Sequence, residues 1–142
     1  MIEPRGPLAS PGYWLHHAAL AWRRELGARL RPLGLTPTRF DVLAALSHLS
    51  KVDGAPRQQA VADFAGIDRM MTSKIVSALE VDGLVSRVAE GRSNLLTLSP
   101  TGTELVARAT VVARALDAEL FESSADRAAL IDPLSALRQR LG

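Results

Sequence analysis

The chain has 142 residues, 47% of them apolar, enough for one core but not for two ordinary domains. Its 22 Ala and 22 Leu against 10 Val and 4 Ile favour helices over sheets, and the absence of Cys excludes disulfides, thiolate metal sites, cysteine nucleophiles and thiol redox switching. With 17 Lys and Arg against 15 Asp and Glu the net charge is only +2, so a polyanion must be met by locally placed arginines rather than by a global basic field.

Residues 1–12 carry Pro4, Gly6, Pro7, Pro11 and Gly12 and read as an extended, loosely ordered arm without the basic-then-apolar pattern of a signal peptide. From Tyr13 to about Arg31, Leu15, Ala19, Trp22, Leu26 and Leu30 form one apolar stripe on a long helix. Leu33-Gly34-Leu35 ends it. Thr36 then caps a second helix with Pro37 at its first position, carrying Phe40, Leu43 and Leu46. A short third helix over about 56–65 is expected to bury Ala60, Val61 and Phe64. Asp68 caps a fourth that runs to Asp82, with Gly83 placed to end it. On a helical wheel Met71, Thr72, Ile75, Ala78 and Leu79 face one way, and Arg69, Met70, Ser73, Lys74 and Ser77 the other.

Residues 84–88 and 94–98 are the strand candidates, joined as a hairpin by Ala89-Glu90-Gly91-Arg92-Ser93. Ser99-Pro100 caps a further helix with the stripe Leu105, Ala109, Val112, Leu116 and Leu120. A last segment carries Leu130, Leu134, Leu137 and Leu141, with a kink expected at Pro133. No apolar run reaches the roughly 20 residues of a membrane span, so a cytoplasmic protein that makes no membrane contact is expected.

Three helices followed directly by a hairpin spell a mainly α, winged helix-turn-helix fold. The long helices at both ends carry stripes that so small a module cannot cover, and a two-fold homodimer is the economical way to bury them. The expected organisation is a flexible arm (1–12), an N-terminal dimerisation helix (13–35), the winged helix-turn-helix (36–99) and C-terminal dimerisation helices (100–142).

The run Leu35-Thr-Pro-Thr-Arg-Phe-Asp-Val-Leu43, the run from Asp68 through Gly83-Leu-Val-Ser-Arg87, and Leu98-Ser-Pro-Thr-Gly102 together resemble the MarR family of bacterial transcriptional regulators. The resemblance covers roughly residues 13–141. It implies a homodimeric, sequence-specific protein that binds double-stranded DNA, usually a repressor and often released by a small ligand. It places the recognition helix at 68–82, where Arg69, Met70, Ser73, Lys74 and Ser77 are candidates for the major groove. Serine can bond a base edge or phosphate, lysine can reach guanine or phosphate, and methionine can pack on a thymine methyl. Arg92 corresponds to the wing arginine that meets the minor groove or its phosphates. The interval from Arg87 to Gly102 is shorter than the family's common spacing and Glu90 stands where Asp is usual, so a clipped wing tip is expected. Arg57 and Gln58, at the start of the third helix, are candidates for backbone contact with phosphate. Arg87 is a candidate for DNA or, equally, for a bond to Glu90 or a helix carboxylate.

Tyr13, Trp14, His17 and Trp22 are candidates either for interface packing or for a cleft holding an aromatic or anionic effector. His16 and His17 point about 100° apart on a regular helix and cannot share one ion, so no metal is expected, and no cofactor is implied. No nucleophile elbow, phosphate-cradling glycine loop or His-Glu-x-x-His motif is present, and an enzyme is not expected. The alternative reading is a winged-helix dimer that serves as a protein-interaction or small-molecule-binding module, with a weakened DNA surface.

Overall fold

The computed structural model describes residues 5–142; Pro4 and the rest of residues 1–4, part of the expected arm, lie outside them. Among the described residues there are six α-helices and a two-stranded antiparallel hairpin. Ser10 accepts a hydrogen bond from the Tyr13 amide and Pro11 takes the first helical position, so α1 (Pro11–Leu30) starts ahead of the expected Tyr13. Gly6–Ala9 form a 3-10 turn before it, in place of an extended arm. Pro7 and Pro11, read as breakers, sit in first turns, where no amide donor is needed and the fixed φ already suits a helix.

Thr36 accepts from the Arg39 amide at 3.2 Å and starts α2 (Pro37–Asp53). The short α3 (Gln58–Ala65) follows, and Asp68 caps α4 (Arg69–Val81) by accepting from the Met71 amide at 2.8 Å. Helix α2 is the central element, touching α1, α3, α4 and the second wing strand. Its Val42, Leu43 and Leu46 are fully buried, as are Val61 of α3 and Val76 and Leu79 of α4. From α1 only Leu26 and Leu30 reach burial, whereas Leu15 and Trp22 of the same stripe stay exposed.

Two expectations about burial are corrected. Helix α3 buries Val61 and Ala62, while Ala60 is exposed and Phe64 lies on the flank with its ring stacked on His48 of α2 at 5.0 Å. With Val61 and Ala62 both turned inward, the buried direction of α3 lies between them, and at about 100° per residue Phe64 falls roughly 110° away, on the flank. On α4 the buried set is Thr72, Ile75, Val76 and Leu79; Met71 is exposed, so the inward stripe is rotated toward Val76.

The hairpin joins β1 (Val85–Glu90) to β2 (Ser93–Leu98), pairing Val85 with Leu98 and Glu90 with Ser93. Its turn is therefore Gly91-Arg92 alone, tighter than the five-residue connection read from the sequence. Gly91 at φ +61° supplies the left-handed conformation that a two-residue hairpin turn of this twist requires.

Ser99 knots the hairpin's end to the next helix, α5 (Pro100–Leu120). Its hydroxyl donates to the Gly83 carbonyl at 2.6 Å and accepts from the Gly102 amide at 3.0 Å, while its own amide donates to the Leu84 carbonyl. Gly102 is buried against that same carbonyl, and a Cβ there would fall far inside van der Waals contact of the Leu84 oxygen. Helix α6 (Ser124–Leu141) starts at the Ser123 cap and continues through Pro133. The chain forms two compact units, one ending at Thr110 and the other beginning at Val111, with the boundary inside α5. No described helix is long and apolar enough to cross a membrane.

Candidate nucleic-acid interface

With Thr72, Ile75, Val76 and Leu79 turned inward, α4 presents Arg69, Met70, Lys74 and Ser77 to solvent, and Ser73 at its half-buried flank. Met70 is 75% exposed and offers a flexible thioether for an apolar contact. Among the described residues no hydrogen bond or ion pair engages Arg69 or Lys74. The helix thus carries two uncommitted cations, two hydroxyls and one apolar contact on the face opposite its core, a set suited to phosphate, base edges and thymine methyls.

The wing stands beside α4, which β1 contacts directly. Arg92 occupies the second turn position, exposed and without an intramolecular partner among the described residues. Arg57, the residue before α3, makes a short contact from its guanidinium to the Ser93 hydroxyl, and its backbone bridges to Leu95 of β2. The Leu96 amide donates to the Pro56 carbonyl at 2.9 Å, so the start of α3 and the base of the wing form one joint. Gln58 is half-buried, and its Oε1 is sealed from solvent with no hydrogen-bond donor.

Arg87 turns away from the wing tip. Its guanidinium lies against α4, donating to the Ser73 carbonyl at 3.1 Å and the Ser77 hydroxyl at 3.4 Å, with Glu80 Oε1 at 3.5 Å. Of the two partners named for it, the helix carboxylate is the one it has, and Glu90 is not.

The ligand candidates are only partly brought together. Tyr13 packs against His17 with ring centroids 4.1 Å apart and meets Trp14 edge-on at 5.2 Å, while the Trp14 indole donates to the Leu8 carbonyl. Trp22 makes no ring contact with this group among the described residues. An open trough of about 660 Å³ lies instead along the other end of α1, lined by Arg23, Arg24 and Arg31 and by the start of α2, and none of the four candidates borders it. Arg23 is committed there to Asp41 at 2.9 Å. Burial raises the Asp41 pKa above its ordinary value, outweighing the downward pull of the Arg23 hydrogen bond and charge.

A family model described as a domain of unknown function (DUF7343) matches residues 41–99, the span from α2 through the wing. The HTH-type transcriptional repressor Rv2887 of Mycobacterium tuberculosis is 35% identical over 113 residues, covering 78% of each chain. A MarR-family transcriptional regulator from Silicibacter pomeroyi shares the fold at a TM-score of 0.80, with 22% identity over 96% of this chain and 93% of that one. The transcriptional repressor CouR, solved bound to a 23-mer DNA duplex, superposes at 0.83 with 28% identity, covering 97% of this chain and 99% of that one.

The chain belongs to the MarR family of transcriptional regulators. Within this winged-helix member, the structure brings Arg69, Met70, Ser73, Lys74 and Ser77 onto one side of α4, places Arg57 at the wing base and Arg92 at its tip, and folds Arg87 inward. Sequence reasoning did not single out Glu80 as the partner of Arg87 or Ser93 as that of Arg57. Neither pairing leaves a periodic signal, because each joins residues of different elements that meet only when a wing strand packs against α4 or against the start of α3. The buried seat of Gly102 against Leu84 was likewise visible only as part of a family motif.

Proposed function

We propose that this MarR-family chain is a homodimeric repressor that binds a pseudo-palindromic operator, with α4 in the major groove and the tip of the hairpin wing at the flanking minor groove. The observation that carries the reading is the outward face of α4. Arg69, Met70, Lys74 and Ser77 are exposed on a helix whose other side is locked into the core, and among the described residues the two cations have no hydrogen-bond or ion-pair partner. The relative CouR, alike over nearly the whole of both chains and solved bound to a DNA duplex, supports DNA as the partner.

A homodimer is supported by apolar surface that one copy leaves in water. Trp14, Leu15, Leu20 and Trp22 on α1 and Leu130, Ile131, Leu134 and Leu141 on α6 are all exposed. Two copies related by a two-fold axis would present two α4 helices about one turn of duplex apart. Release by a small aromatic or anionic molecule is part of the proposal. A ligand wedged near the Tyr13, Trp14 and His17 rings would alter the separation of the reading helices, so that both half-sites could no longer be met together. The chain acts in this reading by binding and not by catalysis.

The test is selection of genomic fragments by the purified protein, then salt titration on the best fragment. An inverted repeat is expected, bound with a steep negative salt slope. The Ser73→Ala plus Lys74→Ala variant is expected to lose at least about tenfold in affinity for it. A folded protein that enriches no fragment at low salt would overturn the reading and favour the protein-interaction alternative, for which the short wing is the supporting observation.

A further inference from the structure

Arg87 stands apart from the other basic residues of this surface. Arg69, Lys74 and Arg92 are exposed and uncommitted among the described residues, whereas the Arg87 side chain is only 21% exposed and its Nε is sealed from solvent. Strand alternation puts Val85 and Arg87 on the side of β1 that faces α4. Its three partners, the Ser73 carbonyl, the Ser77 hydroxyl and the Glu80 carboxylate, follow one ridge of the helix at steps of four and three residues. Reaching a phosphate would mean giving up all three and leaving a carboxylate unpaired beside DNA.

We propose that Arg87 is a positioning residue that fixes the reading helix to the wing, masks Glu80, and turns the Ser77 hydroxyl outward as a hydrogen-bond donor, without itself meeting DNA. This deepens the DNA-binding reading and rests on it. The guanidinium suits this because its planar fork divides the contacts between two nitrogens, Nη2 for the Ser73 carbonyl and Nη1 for Ser77 and Glu80, whereas an ammonium donates from a single nitrogen. With an oxygen lone pair of Ser77 directed at Arg87, the hydroxyl proton is left for acceptors such as guanine O6 and N7, adenine N7 or thymine O4. Arg87 would thereby contribute to sequence preference through Ser77, and to affinity by keeping the Glu80 charge from repelling phosphate.

The experiment measures operator and non-operator DNA binding across a salt series for wild type, Arg87→Met, Arg87→Lys, Glu80→Gln and the Arg87→Met plus Glu80→Gln pair. Arg87→Met keeps the apolar stem, and its expected effect is about a tenfold loss on the operator but only about a threefold loss on non-operator DNA, the share due to the unmasked Glu80 charge, with the salt slope changed by less than about one. Glu80→Gln is expected to recover at least about threefold of that loss in the pair, and Arg87→Lys to recover it only in part. A salt slope reduced by about one, a full rescue by Lys and no coupling to Glu80 would mark Arg87 as a phosphate contact and overturn the proposal. Amide hydrogen exchange on the DNA-free protein supplies an independent arm. Exchange in the last turns of α4 and in β1 should quicken by about tenfold in Arg87→Met, while α2 does not change. Unchanged exchange would overturn the strut even if wild type selected no fragment, an outcome that by itself overturns only the DNA-binding reading.

Discussion

Helices α4 and α6 make opposite use of their apolar residues. The 13 residues of α4 bury Thr72, Ile75, Val76 and Leu79, and the polar side left outside is the candidate reading surface. The 18 residues of α6 bury none, although Leu130, Ile131, Leu134 and Leu141 are among them. A helix interrupted by an internal proline gains little from propensity alone, and helices in proteins draw most of their stability from packing. The apolar side of α4 is therefore satisfied within its own chain, and that of α6 is left for a partner, for which we propose a second copy. Reading surface and assembly surface then lie on different helices and can be broken separately.

The largest expected effect is on the packed unit. In Gly102→Ala the new methyl group meets the Leu84 carbonyl, a backbone atom held by the Ser99 amide, so the strain cannot be relieved by a rotamer change. A loss of about 3 kcal/mol is expected, lowering the melting temperature by roughly 10 °C. Denaturant unfolding checks it, and an unchanged midpoint would mean that the start of α5 is not seated on the turn after α4.

The assembly surface should fail without the fold. Ile131→Asp combined with Leu134→Asp adds two charges to the exposed stripe of α6 and touches nothing in the core. The dimer dissociation constant is expected to rise at least about 100-fold, seen as a fall to the monomer mass in sedimentation, while the near-ultraviolet signal of the packed unit persists. Unaltered mass would show that this stripe is not the dimer surface, and collapse of the whole fold would erase the distinction between the two helices.

The same contrast sets how much could be read beforehand. Caps at Thr36 and Asp68 and the outward set on α4 were legible because they depend on neighbours within one or two turns. The hairpin was legible as an element but not in its turn, since the two-residue connection depends on strand register, which the alternation of side chains leaves open at the tip. Phe64 misled for a similar reason: hydrophobicity marked it for the core, but α3 turns the face between Val61 and Ala62 inward, which leaves Phe64 on the flank against His48. At the candidate site, residue types were readable and partners were not. Arg87 was open equally to DNA, to Glu90 or to a helix carboxylate, and only the packing of β1 on α4 aims it at Ser73, Ser77 and Glu80.

The smallest effect concerns the polar seam between α1 and α2, where the packed unit holds the helix whose other end is left exposed. Arg23 and Asp41 meet there at 2.9 Å, yet burial raises the Asp41 pKa more than the arginine lowers it. The folded chain thus holds this proton more tightly than the unfolded one. Its contribution to stability is full below the ordinary carboxylate range and is lost as pH rises through the raised folded value. In Asp41→Asn this titration is absent, so the stability of wild type relative to the variant should be highest at acid pH and decline toward neutrality, by less than about 1 kcal/mol in total. Chemical denaturation of both proteins across that range measures it. A difference that grows in favour of wild type as pH rises would mean that the ion pair outweighs burial, and that α1 is held to the packed unit by charge rather than by Leu26 and Leu30.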